Sequence, residues 1–69
     1  MSVAKISEIT STSNTSFDDA VADGIKRAHK TIRGISGAWV ADQEVAVKSG
    51  KIDEYKVRLR LTFVVDEKN

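Results

Sequence analysis

From Phe17 onward, apolar side chains recur at every third or fourth position: Phe17, Val21, Ile25, Ala28, Ile32 and Ile35. Asp18, Asp23, Lys26, Lys30 and Arg33 fall mostly off that stripe. A period between three and four is that of an α-helix with one apolar side. Ser16 precedes it as an N-cap, and Asp18 and Asp19 in the first turn complement the positive end of the helix dipole. Gly34 and Gly37 predict its end, because glycine accepts the left-handed exit conformation cheaply. From Tyr55 the pattern changes to strict alternation. Tyr55, Val57, Leu59, Leu61, Phe63 and Val65 take one face of a predicted strand, and Glu54, Lys56, Arg58, Arg60, Thr62 and Val64 take the other.

The rest of the chain fits around these two elements. Ala38 to Val47 predicts a strand, and Lys48-Ser49-Gly50-Lys51 a hairpin turn that returns the last strand antiparallel. Val3 to Thr10 predicts a first strand from its β-branched content, with imperfect alternation. The tract Thr10 to Ser16 consists entirely of Ser, Thr and Asn, which favour turns and caps. Asp66 to Asn69 reads as a frayed tail. The order is β-α-β-β, a single α+β domain over residues 1–69.

Composition sharpens this picture in one respect. A chain of 69 residues buries only about 60% of the surface its unfolded form exposes, so a lone core is marginal. There is no cysteine, hence no disulfide and no zinc-finger spacing to staple it. Self-assembly is the remaining device. Ten acids against eleven bases leave a net charge of +1, which gives no reason to expect nucleic acid or an acidic membrane as partner. Met1 to Lys5 lacks the apolar core of a leader, and no run is long enough to span a bilayer, so the expected location is cytoplasmic.

A set of residues spread over nearly the whole chain resembles the dodecins, small flavin-binding proteins. It comprises Glu8-Ile9, Thr12-Ser13, Ser16-Phe17, Arg27-Ala28, Thr31-Ile32-Arg33, Val40-Ala41-Asp42-Gln43, Glu54-Tyr55-Lys56-Val57 and Phe63. No one of these motifs is specific; their order and spacing carry the resemblance. It implies a three-stranded antiparallel sheet wrapped around the helix and a hollow homododecamer. It also implies storage of a flavin, riboflavin or FMN, sandwiched between tryptophans at a symmetry axis, with no turnover.

At the flavin-contacting positions the chain departs from that pattern. The stacking tryptophan falls on Gly37, and the glutamine that bonds the flavin edge falls on Lys56, which donates but cannot accept. A phosphate-holding basic residue falls on Glu44, and a second arginine on Val64. The sole tryptophan is Trp39, two residues on and therefore on the same face of a strand as Gly37. It either stacks on a ligand or fills the space the flavin would leave. The candidate ligand contacts are thus Gly37, Ala38, Trp39, Glu44, Lys56 and Val64.

Asp42, Glu44, Asp53 and Glu54 lie on adjacent predicted strands and could converge, alone or at a symmetry axis, on calcium or magnesium through oxygen ligands. The competing expectation is that these acids pair with Lys56, Arg58 and Arg60 of neighbouring subunits. His29 stands among Lys26, Lys30 and Arg33 with no second ligand nearby and reads as a surface residue. No base-activated nucleophile and no phosphate-cradling glycine loop is present, so the expectation is a binding protein and not an enzyme.

Overall fold

The alternation from Tyr55 to Phe63 becomes the centre of the molecule. In the computed structural model, which describes residues 3–65, the order is β1 (Val3–Ser13), α1 (Phe17–Ala28), β2 (Ile35–Lys48) and β3 (Lys51–Val65). The strands form one antiparallel sheet in the order β1-β3-β2. Val57, Leu59 and Leu61 of the central strand are completely buried. They pack with Ala20 and Ala28 of the helix, and Ile9, Phe17, Val21, Ile25, Ile32 and Ile35 close around them. Phe17 meets Tyr55 edge-on at 5.1 Å between ring centroids. The expected tail, residues 66–69, lies outside the described residues.

The helix starts where its cap predicts. Ser16 is extended, and its hydroxyl accepts a bond from the Asp19 N–H at 3.0 Å, satisfying one of the free donors of the first turn. The Ser13 hydroxyl in turn donates to the Asp19 carboxylate at 2.7 Å and accepts from the Thr15 N–H at 2.9 Å. Three short polar side chains thereby fix the corner between β1 and α1.

The helix ends earlier than its apolar period suggests. Helical geometry stops at Ala28, and the Thr31 and Ile32 N–H groups both close onto the Ala28 carbonyl, at 3.0 and 2.8 Å. Ile32 reaches the core from this turn, and Ile35 reaches it from the start of β2. Gly34 turns the chain, with φ of +74°, and its carbonyl accepts from the Val64 N–H at 3.0 Å. A Cβ at Gly34 would also lie 2.9 Å from the Val64 carbonyl oxygen, so both conformation and space demand glycine. Gly37, expected to help stop the helix, is instead a strand residue opposite Thr62.

The first strand is also longer than expected. It continues through the Ser/Thr tract to Ser13, because each residue from Val3 to Ser13 finds a partner on β3. The hairpin follows the expected turn: Lys48 faces Lys51, and Ser49 and Gly50 both have positive φ, as a two-residue turn matching sheet twist requires.

Gly24 was given no role by the periodicity, and it sits in the middle of α1. A Cβ there would fall 2.9 Å from Cβ of Ser11 and 3.3 Å from Cδ1 of Leu59. The helix therefore lies against the sheet at a distance only hydrogen permits.

Candidate functional site

The two ladders sort the side chains of the sheet. Residues directly opposite on neighbouring strands share a face. The face turned away from the helix carries Ala4, Ile6, Glu8, Thr10 and Thr12 from β1. From β3 it carries Glu54, Lys56, Arg58, Arg60, Thr62 and Val64, and from β2 Gly37, Trp39, Asp42, Glu44 and Ala46. Shifts of register between Ile35 and Gly37, and between Val40 and Asp42, keep the β2 set on that side.

The expectation that Trp39 and Gly37 share a face therefore holds, and Lys56, Glu44 and Val64 join them. Ala38 does not: it stands opposite Leu61, on the helix side. Trp39 is 45% exposed within the subunit, so its own chain leaves much of the ring open. The Arg60 guanidinium carbon lies 5.9 Å from the ring centroid, within cation–π range. A Cβ added at Gly37 would meet nothing within 4 Å. Open backbone at Gly37 thus accompanies a half-exposed indole on the same face.

Within the subunit the cations of this face already have partners. Each finds an acid on the adjacent strand of its own chain. Arg60 Nε donates to Glu8 Oε2 at 3.2 Å, Arg58 lies 3.7 Å from Asp42, and Lys56 lies 3.7 Å from Glu44. Direct cross-strand opposition explains this, since the ladders put each acid beside its base before any neighbouring subunit is involved. Exposed pairs of this kind contribute about 0–1 kcal/mol each; their larger effect is to neutralise the face. The Arg60 and Trp39 pairing and the Glu8 partner were missed from the sequence, because neither is visible until β1 and β2 are placed on opposite sides of β3.

The four candidate metal ligands are not gathered into one cluster within the subunit. Asp42 and Glu44 are in the pairs just described. Glu54 stands opposite Ala46, and Asp53 falls at the irregularity between the Ala46–Glu54 and Val47–Ile52 pairs. The Asp53 carbonyl accepts from the Asn14 side-chain amide at 3.1 Å. Among the described residues, no three His, Cys, Asp or Glu side chains stand close enough to hold a metal ion. No helix among them is long and apolar enough to cross a membrane.

The helix-side face of β2 is left open. The helix packs on β1 and β3, and Val40 remains 43% exposed although it stands opposite fully buried Leu59. At the hairpin end, the paired Val47 and Ile52 are 64% and 53% exposed. Isolated apolar residues are common on surfaces, but here they line one strand and its turn.

Comparison with known proteins bears on both the fold and this face. The family model described as Dodecin matches residues 3–66. The chain is 36% identical over 63 residues to calcium dodecin of Mycobacterium tuberculosis, covering 91% of this chain and 89% of that one. A crystal structure of that calcium-chelating protein, with a novel calcium-binding site, superposes with a TM-score of 0.79 at 35% identity, covering 97% and 96% of the two chains. The dodecin of Streptomyces coelicolor superposes with a TM-score of 0.91 at 25% identity, covering 97% and 96%. A Thermus thermophilus protein gives 0.92 at 26% identity, covering 99% and 100%. Backbone shape thus runs closer to the latter two, and residue identity closer to the mycobacterial protein. With the β-α-β-β order, the sheet register and the family match over all but the ends of the chain, this protein belongs to the dodecin family of small-ligand-binding proteins.

Proposed function

We propose that the chain is a non-enzymatic subunit of a hollow homododecamer that binds and buffers a flat heteroaromatic ligand, a flavin being the family expectation. The ligand lies against Trp39 on the outer sheet face. The observation that carries this reading is the half-exposed indole beside the open backbone of Gly37. A ring the size of an isoalloxazine gains most from stacking on an aromatic face, and Trp39 offers one about two residues along the strand from the usual position, a displacement of roughly 6–7 Å. Self-assembly is supported by the small core and by the uncovered apolar residues of β2 and the hairpin. A fluorescence titration of riboflavin with micromolar protein tests the binding: quenching supports it, and unquenched flavin refutes it.

A second reading is favoured by the 36% identity to calcium dodecin. In it, Asp42, Glu44, Asp53 and Glu54 of several copies meet at a symmetry axis and hold calcium or magnesium. Oxygen ligands drawn from several chains could supply the six to eight positions calcium takes. Thermal melts with and without chelator test it. A lower midpoint on chelation, restored by added calcium, supports the cation reading; an unmoved midpoint counts against it.

A further inference from the structure

We infer that Glu8 is a positioning residue for the ring site, acting from the far edge of the sheet by holding Arg60 against the Trp39 indole. The inference rests on the reading that a flat ring lies against Trp39, and it concerns what keeps that indole ready for one.

The sheet register puts these three residues in one row. Arg60 of the central strand stands opposite Glu8 on β1 and opposite Trp39 on β2. The next two rows are built the other way round. Arg58 lies between Thr10 and Asp42, and Lys56 between Thr12 and Glu44, so there the acid is on β2 and β1 supplies a hydroxyl. In the Trp39 row the indole takes the place of the acid on β2, and the acid stands on β1 instead. The Glu8 contact is also the shortest of the three on this face, 3.2 Å from Arg60 Nε against 3.7 Å for the Arg58 and Lys56 pairs.

The guanidinium is poised between two outcomes that Glu8 prevents. Its carbon is 5.9 Å from the indole centroid, close to the limit of about 6 Å for attraction between a cation and a ring. The Arg60 and Glu8 side chains are 49% and 46% exposed, so packing alone does not fix the head group on its long stem. Without the Glu8 carboxylate, the acid one row along is Asp42 on β2, a diagonal neighbour within reach of a long side chain. A guanidinium drawn to Asp42 leaves the indole unheld. One that slides further over the indole covers surface on which a ligand ring would stack. Either way the ligand must reorder a side chain as it binds. Ordering one long side chain costs roughly threefold to tenfold in affinity.

The Glu8→Ala variant, with Asp23→Ala as a matched control, decides the matter. Asp23 also forms an exposed ion pair, with Arg27 at 3.0 Å, but on the helix. Trp39 is the sole tryptophan, so its emission in the assembled, ligand-free protein reports the Arg60 contact. The expected result for Glu8→Ala is a shifted emission and riboflavin binding at least about threefold weaker, with both unchanged in Asp23→Ala. In an Arg60→Leu background Glu8→Ala has no further effect, since Glu8 acts through that guanidinium alone. Unchanged riboflavin affinity in Glu8→Ala overturns the inference while leaving ring binding intact, whatever the emission does. So does an equal loss in Asp23→Ala, or a Glu8→Ala loss that persists without Arg60. If the wild type leaves riboflavin unquenched, the ring-binding reading fails and the inference fails with it.

Discussion

Arg60 holds Glu8 on one side, with Nε 3.2 Å from the carboxylate, and stands on the other side 5.9 Å from the ring centroid of Trp39. The two contacts span the whole sheet, because β3 lies between β1 and β2 and Arg60 is opposite both residues. One guanidinium thus ties the candidate ligand ring to the edge strand farthest from it. Gly37, where a Cβ would meet nothing within 4 Å, lies on the same sheet face two residues before Trp39.

That geometry makes Gly37 a place where function can be added. Since a Cβ there meets nothing within 4 Å, Gly37→Trp combined with Lys56→Gln should tighten riboflavin binding by tenfold or more, equivalent to about 1.4 kcal/mol. Fluorescence titration of the double variant beside the wild type measures it. No gain would mean that the outer face is not where this chain receives a ring.

Leu59 is the centre of the small core, completely buried between helix and sheet. Leu59→Ala should lower stability by about 2–5 kcal/mol through lost burial and the cavity left behind. Urea denaturation followed by circular dichroism gives the value, and a loss below one kcal/mol would remove Leu59 from the core.

At Gly24 two effects compete. Alanine would favour the helix by about 1 kcal/mol, but its methyl group would meet the Ser11 side chain and Leu59 at 2.9 and 3.3 Å. Overpacking of this kind typically costs about 1–3 kcal/mol, so Gly24→Ala should be destabilising on balance. Ser11→Gly in the same chain should recover part of the loss, because it removes the closest atom. A more stable Gly24→Ala protein would show that helix and sheet can separate freely.

Only Ala20, Ala28, Val57, Leu59 and Leu61 are buried hydrophobic residues among those described. With so little interior, the folded subunit should draw stability from its copies, and mass action then raises the melting temperature as protein concentration rises. Scanning calorimetry over a hundredfold range of concentration tests this, alongside light scattering for a mass near twelve times 7.6 kDa. A concentration-independent midpoint with a subunit-sized particle would contradict assembly.

Much of this arrangement is legible in the chain because local rules and the tertiary fold agree. Ser16 caps the helix through Asp19, Val57, Leu59 and Leu61 face inward by alternation, and Ser49-Gly50 turns the hairpin. The departures arise where two readings of the same residues compete. Ile32 and Ile35 continue the helical period, yet they reach the core from a turn and a strand, so apolar spacing alone cannot mark the end of α1. The Ser/Thr tract offers its own side chains to the backbone, but pairing with β3 outweighs that local preference as far as Ser13. At the candidate site, the shared face of Gly37 and Trp39 follows from a period of two. The Glu8, Arg60 and Trp39 chain does not, because it depends on which strand lies in the middle. Gly24 carries no periodic signal, and only the nearness of Ser11 explains it.

The most direct test of ligand binding at Trp39 is a riboflavin titration of the wild-type protein and of Trp39→Leu, read by flavin fluorescence. The account predicts saturable quenching in the wild type and at least tenfold weaker binding in the variant, with both proteins assembled to the same size. Quenching that is equal in the two proteins, or absent from the wild type, would contradict it.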